Sequence, residues 1–193
     1  MRVICPYVGD GPHAQTRSDL DAAWRGMVDY RDVSASDTAY ADLMMELWRE
    51  KETFIVVEQD MSFEAKQLWS LAACPSAYCA SVYDWSTNTG PGLGFTKFGY
   101  ELLDKVPAPN LARVAWNQVD IALMRNHLGR TYHRQPHLHL PPVRHLNPKR
   151  SPLLPEYQDL TLAEHLAALG FELRPEHGDA VYVGGDVFGE KSA

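Results

Sequence analysis

The chain has 193 residues, enough for one domain of ordinary size. With 45% hydrophobic and 22% charged residues it has the composition of a folded globular protein, which excludes a disordered chain. A net charge of −7 gives no global basic footprint for nucleic acid or an anionic membrane, and no apolar run reaches the roughly 18 residues of a membrane span.

Arg2-Val3-Ile4-Cys5-Pro6-Tyr7 reads as a first strand, stopped by turn residues from Gly9 to Pro12. That run is too short for a secretory signal, so a cytoplasmic location is expected. Leu20, Trp24, Met27 and Val28 share one face of a helix predicted over about 15–30. Asp37 can cap a second helix carrying Tyr40, Leu43, Met44, Leu47 and Trp48. Thr53-Phe54-Ile55-Val56-Val57 is apolar without alternation, which predicts a central parallel strand covered on both faces. It ends abruptly in Glu58-Gln59-Asp60.

Ser62 can open a third helix reaching Ala73. Residues 77–83 and 93–98 read as strands, the second leading into a short helix near Glu101. A further helix over about 115–128 stops at Gly129, and the stretch 130–152, rich in His, Pro and Arg, reads as an extended loop. Thr161 and Glu164 form a capping box for a helix over 160–170, and 171–174 with 180–183 read as a hairpin. The order implies an α/β fold, an open and mostly parallel sheet flanked by helices. Residues 1–150 make the main domain, and 151–193 a helix-and-hairpin extension packing on it or on a second copy, as in a homodimer.

In open α/β sheets ligands bind beyond the carboxyl ends of the strands. Glu58 and Asp60 stand at such an end, and at alternate positions of an extended segment they point to one side. A divalent cation relieves their repulsion, and hard oxygen ligands suit Mg²⁺ or Mn²⁺. The bland alternative is an acidic lead into the next helix. His137, His139 and His145 add nitrogen ligands, and Arg130, Arg134, Arg144, Lys149 and Arg150 make their surroundings fit for a diphosphate. Gly92 and Gly94 let backbone approach a ligand closely, although their spacing matches no phosphate loop. Asp120 falls among Trp116, Val119, Leu123 and Met124, where apolar neighbours raise a carboxyl pKa toward that of a working base. The three cysteines, Cys5, Cys74 and Cys79, read as buried small side chains in a reducing compartment.

Taken together, the Val3–Tyr7 strand, Phe54-Ile55-Val56-Val57-Glu58-Gln59-Asp60, Cys74-Pro75, Gly92-Leu93-Gly94-Phe95-Thr96-Lys97-Phe98, Trp116 with Asp120 and a closing histidine resemble small GT-A-type glycosyltransferases. Short members of that kind are encoded by bacteriophages and actinobacteria, and the resemblance covers about residues 1–148. It implies transfer of a sugar from a nucleotide-sugar donor to an acceptor hydroxyl, on a small molecule or a modified DNA base. It also implies a metal held by Glu58 and Asp60, completed by His145, with His139 the second choice. Asp120 would be the catalytic base, while Pro6, Tyr7, Asp10, Gly92, Gly94 and Arg144 would line the nucleotide. The E-Q-D triplet departs from the family's D-x-D. Two other readings are a metal-dependent hydrolase or phosphoesterase using His137, His139 and Asp60, and a glycosyltransferase-like module that binds without catalysis.

Overall fold

A computed structural model describes residues 1–83, 92–146, 171–176 and 179–184. Strand β3 (Phe54–Val57) lies inside the sheet, between β1 (Arg2–Tyr7), parallel to it, and β6 (Phe95–Phe98), antiparallel. All four β3 side chains are buried, because helices cover both faces. Phe54 and Val56 enter one core, Ile55 and Val57 the other. This two-sided burial is why the strand carries no polar alternation.

The order across the sheet is β2 (Val28–Asp32), β1, β3, β6, β5 (Tyr78–Tyr83), β7 (His137–His145), then β9 (Asp179–Gly184) and β8 (Phe171–Glu176). In the main body only β6 runs against its neighbours, so the sheet is mostly parallel. A two-residue strand, β4 (Met61–Ser62), pairs antiparallel with the end of β7.

Helices α1 (Ala14–Ala23) and α3 (Ala65–Ala73) cover one face with Leu20, Leu68 and Leu71. The other face is covered by α2 (Ala39–Glu50), α4 (Tyr100–Lys105) and a π-helix, Ile121–Thr131. In α2, Tyr40, Leu43, Met44, Leu47 and Trp48 form the expected apolar stripe, and Lys51 closes the helix at φ 54°. Among the described residues no helix is long and apolar enough to cross a membrane.

Several elements differ from the sequence-based expectation. Helix α1 ends at Ala23, and residues 28–32 form the edge strand β2 instead of continuing the helix. Trp24 and Val28 satisfy either reading, since both pack on the same core, as does Tyr30. Thr38, not Asp37, precedes α2, and Asp37 instead offers its carbonyl to Trp116 N–H at 2.8 Å. Ser62 lies in β4, and α3 is opened by Glu64 with Gln67 in a reciprocal capping box. The predicted 115–128 helix is a short 3₁₀ turn, Trp116–Gln118, followed by the π-helix.

The stretch 137–145, expected as loop, is strand β7. Its His-Leu-His-Leu start alternates as a half-buried strand should, but Pro141-Pro142 obscures it. Between the pairs Ser81↔His139 and Tyr83↔Val143, β5 advances two residues and β7 four. The prolines fall in this bulge, where no ladder N–H is needed. Strands β8 and β9 form the expected hairpin, and β9 adds to β7 at Leu138↔Tyr182, so the extension continues the main sheet. The helix expected over 160–170 lies outside the described residues.

Trp48 anchors the second face: it is 1% exposed, packs on Phe98 at 5.8 Å, and donates its indole N–H to the Val106 carbonyl at 2.9 Å. Trp48→Ala should cost about 3–5 kcal/mol. Trp48→Phe, which keeps a ring but abandons a buried carbonyl, should cost about 1–3 kcal/mol. Urea unfolding measures both, and equal losses would mean that the hydrogen bond, not the packing, dominates.

Candidate metal and nucleotide site

The carboxyl ends of β1 and β3 converge on Glu58-Gln59-Asp60. These residues turn, with Met61 N–H on the Glu58 carbonyl at 3.2 Å, because three residues must connect β3 to β4. The two carboxylates therefore do not stand side by side as they would on an extended segment. Glu58 accepts the Tyr40 hydroxyl at 2.8 Å, while its N–H bonds the Gly94 carbonyl at 2.9 Å. Asp60 turns toward β7, where His145 Nε2 lies 3.4 Å from its Oδ2.

Gln59 fastens this turn to the first strand and helix. Its side chain accepts Val8 N–H at 2.7 Å, and its carbonyl accepts both His13 N–H and the buried Thr16 hydroxyl at 2.8 Å. Asp60 is fastened from the other side, its carbonyl taking Leu146 N–H at 2.7 Å. The pairing Met61↔His145 sets the register that makes Asp60 and His145 neighbours. The His145 side chain is 1% exposed and that of Asp60 24%, so the pair opens to solvent on the aspartate side.

Two ligands at right angles, each about 2.1 Å from an octahedral ion, lie about 3 Å apart. The Asp60–His145 separation is that of an ion pair, and it is also close to such an edge. Glu58 and Asp60 also make the surroundings negative: burial first, then Glu58, pushes the Cys5 thiol up to about 12, against the opposing pull of Arg17.

The expected nucleotide residues gather at the same end. Pro6 is buried and Tyr7 half-buried at the tip of β1, where Tyr7 pairs with Asp32 and its carbonyl takes Val33 N–H at 2.9 Å. Asp10 is exposed in the following loop, whose Gly9 at φ 78° and Gly11 at φ 134° hold conformations that other residues resist. Gly92 and Gly94 sit at the start of β6, which begins where β3 ends because the two are antiparallel. Arg144 is exposed beside His145. Arg17, which sequence reasoning passed over, lies over the Tyr30 ring at 5.1 Å and within electrostatic reach of Cys5. Only the tertiary approach of α1 to the strand ends marks it out. Lys149 and Arg150 lie outside the described residues.

Asp120 is half-buried at the start of the π-helix, with Val119, Leu123 and Met124 buried around it. Trp116 is 51% exposed, not an apolar wall. The Trp116–Asp37 hydrogen bond holds this segment against the loop that leaves β2, at the carboxyl end of the sheet.

His139 is elsewhere. It lies six residues before His145 on β7, and the bulge shortens that span to about four ladder steps, about 13 Å. Its ring meets Ser70 Oγ at 2.9 Å and lies near Cys74 and Cys79. The structure therefore does not join it to Asp60, and the hydrolase arrangement of His137, His139 and Asp60 is not assembled. All three cysteines are free and buried, as expected.

No family model matches the chain, and no curated protein matches it. The solved structure of A197 from STIV is similar at a TM-score of 0.44 and 15% identity, covering 66% of this chain and 78% of that one. Similarity at this level carries no argument about function.

Thr16→Val removes the hydroxyl that ties α1 to the Gln59 carbonyl while preserving shape. It should cost about 1 kcal/mol in urea unfolding and weaken Mn²⁺ binding by loosening the turn. Unchanged stability and unchanged affinity together would show that α1 does not hold the turn.

Proposed function

We propose that the chain is a metal-assisted glycosyltransferase, moving a sugar from a nucleotide-diphosphate donor to an acceptor hydroxyl. The observation that carries this reading is the Asp60–His145 pair, 3.4 Å apart at the carboxyl ends of the parallel strands. An oxygen and an imidazole donor there suit Mn²⁺ or Mg²⁺ with a diphosphate completing the coordination. When bound, such a cation offsets the charge that grows on the leaving diphosphate.

The chain's own groups divide the remaining work. Half-buried Tyr7 offers a flat surface for the base, which buried Pro6 does not. Asp10 and Gly11 in the following loop offer backbone N–H groups to phosphate oxygens, the Gly9 N–H being held by Ser34. Arg144 and Arg17 add positive charge near the acidic turn. Asp120 takes the proton from the acceptor hydroxyl, with Trp116 and Ile121, each about half exposed, flanking the place where the acceptor would rest. The net charge of −7 favours a small-molecule acceptor over a modified DNA base.

Calorimetric titration of a nucleoside diphosphate with Mn²⁺ tests the site. Asp60→Ala should abolish metal-dependent binding and His145→Ala should weaken it, whereas His133→Ala, an exposed residue at φ 51°, should leave it unchanged. Equal affinities in all three variants would remove Asp60 and His145 from the site. Binding undetectable even in the unaltered chain would favour a non-catalytic module.

Asp120→Asn separates binding from chemistry. Loss of a general base typically lowers rate by about 10² to 10⁴, so donor binding should persist while sugar transfer collapses. Asp104→Asn is the control, since Asp104 is occupied by an exposed ion pair with Lys51 at 2.7 Å. Transfer that persists in Asp120→Asn and fails in Asp104→Asn would reverse the assignment.

A further inference from the structure

We propose that Cys74, Cys79 and His139 form a second metal site, separate from the Asp60–His145 pair and selective for a thiophilic ion of the Zn²⁺ class. Three elements supply the donors. Cys74 ends α3, Cys79 follows the Pro75-Ser76-Ala77 turn into β5, and His139 lies on β7, paired with Ser81 of β5. One donor atom from each lies within 4.8 Å of the other two. All three residues are buried, at 4%, 0% and 4% exposure.

A tetrahedral Zn²⁺ with bonds near 2.3 Å spaces its ligands about 3.8 Å apart. Small rotations of the side chains would close the present cluster onto an ion. The imidazole is already set for it. Ser70 Oγ meets Nδ1 at 2.9 Å, and Nε2 is buried with no hydrogen-bond partner. A hydroxyl on one ring nitrogen orients a histidine whose other nitrogen binds metal.

A hydrogen bond from Cys79 pulls the Cys74 thiol well below its usual range, helped by His139 and opposed by burial. The same bond, and then burial, push Cys79 up. Lys97 lies beside them, with its ammonium on the Cys74 carbonyl, and favours the thiolate form of Cys79. A divalent ion would displace the thiol protons to solvent and be held by two thiolates and an imidazole. Three protein donors leave one tetrahedral position for a further ligand.

Cobalt(II) reports such a site directly, because thiolate ligation gives a near-ultraviolet sulfur-to-metal charge-transfer band. The reduced, metal-stripped full chain titrated with Co²⁺ should develop this band to one equivalent and lose it on addition of Zn²⁺. Cys74→Ser, Cys79→Ser and His139→Ala should lower or abolish it, and Cys5→Ser should retain it. Because substitutions in the core can impair folding, alkylation of the unaltered chain in mild urea provides a second measurement. Peptide mapping should show that Zn²⁺ protects Cys74 and Cys79 and leaves the rate at Cys5 unchanged. Absence of the band in folded, reduced protein, a band that persists in Cys74→Ser, or protection equal at all three cysteines would overturn the proposal.

Discussion

The two-residue pairing of Met61-Ser62 with Arg144-His145 is the constraint on which the candidate site depends. Eighty-five positions separate Asp60 from His145, and nothing local brings them together. A short antiparallel ladder, fixed at its edge by Leu146 N–H on the Asp60 carbonyl, does so with main-chain bonds alone. Backbone pairing tolerates side-chain change, so donors held in this way keep their spacing whatever surrounds them. The turn that feeds the ladder is fixed just as firmly by Gln59, which takes hydrogen bonds from Val8, His13 and Thr16. The residue between the two acids is therefore structural, and its type matters as much as theirs.

Glu58 and Asp60 consequently have different duties. Glu58 faces Tyr40 on α2, and Asp60 faces β7. A turn distributes successive side chains to different neighbours, whereas an extended segment would have paired them. The Tyr40 hydroxyl donates to the Glu58 carboxylate, and Glu58 also contributes to the raised Cys5 thiol.

How much of this was legible from residues alone follows from the range of the forces involved. The buried run Phe54–Val57, the amphipathic stripe of α2 and the hairpin near the carboxyl end are local patterns, and each stands where its periodicity placed it. Asp60 and His145 were legible as residue types with metal chemistry, but their adjacency comes from a ladder too short to leave a pattern. Strand β2 was obscured because Trp24 and Val28 fit a helical face and a sheet face equally well. Strand β7 was obscured by prolines that a bulge accommodates. The neighbours of His139 were illegible for a related reason: Cys74 and Cys79 are near in sequence, but the third donor comes from a strand about 60 residues away, through parallel pairing.

One strand thus carries two histidines into opposite chemistries. At its carboxyl end His145 meets a carboxylate that is partly open to water, a hard and hydrated setting. Near its start His139 meets sulfur in the buried core. Hard ions such as Mg²⁺ and Mn²⁺ keep several waters and bind poorly to buried thiolates, whereas Zn²⁺ gains most from them. The first site would therefore exchange its ion with solvent and substrate, as a donor diphosphate requires. The second would hold its ion through the life of the fold, joining α3, β5 and β7 beside the Ser70–His139 hydrogen bond that already links α3 to β7. The bulge between His139 and Val143 separates the two sites along β7, and the Met61↔His145 pairing fixes the register of the outer one independently.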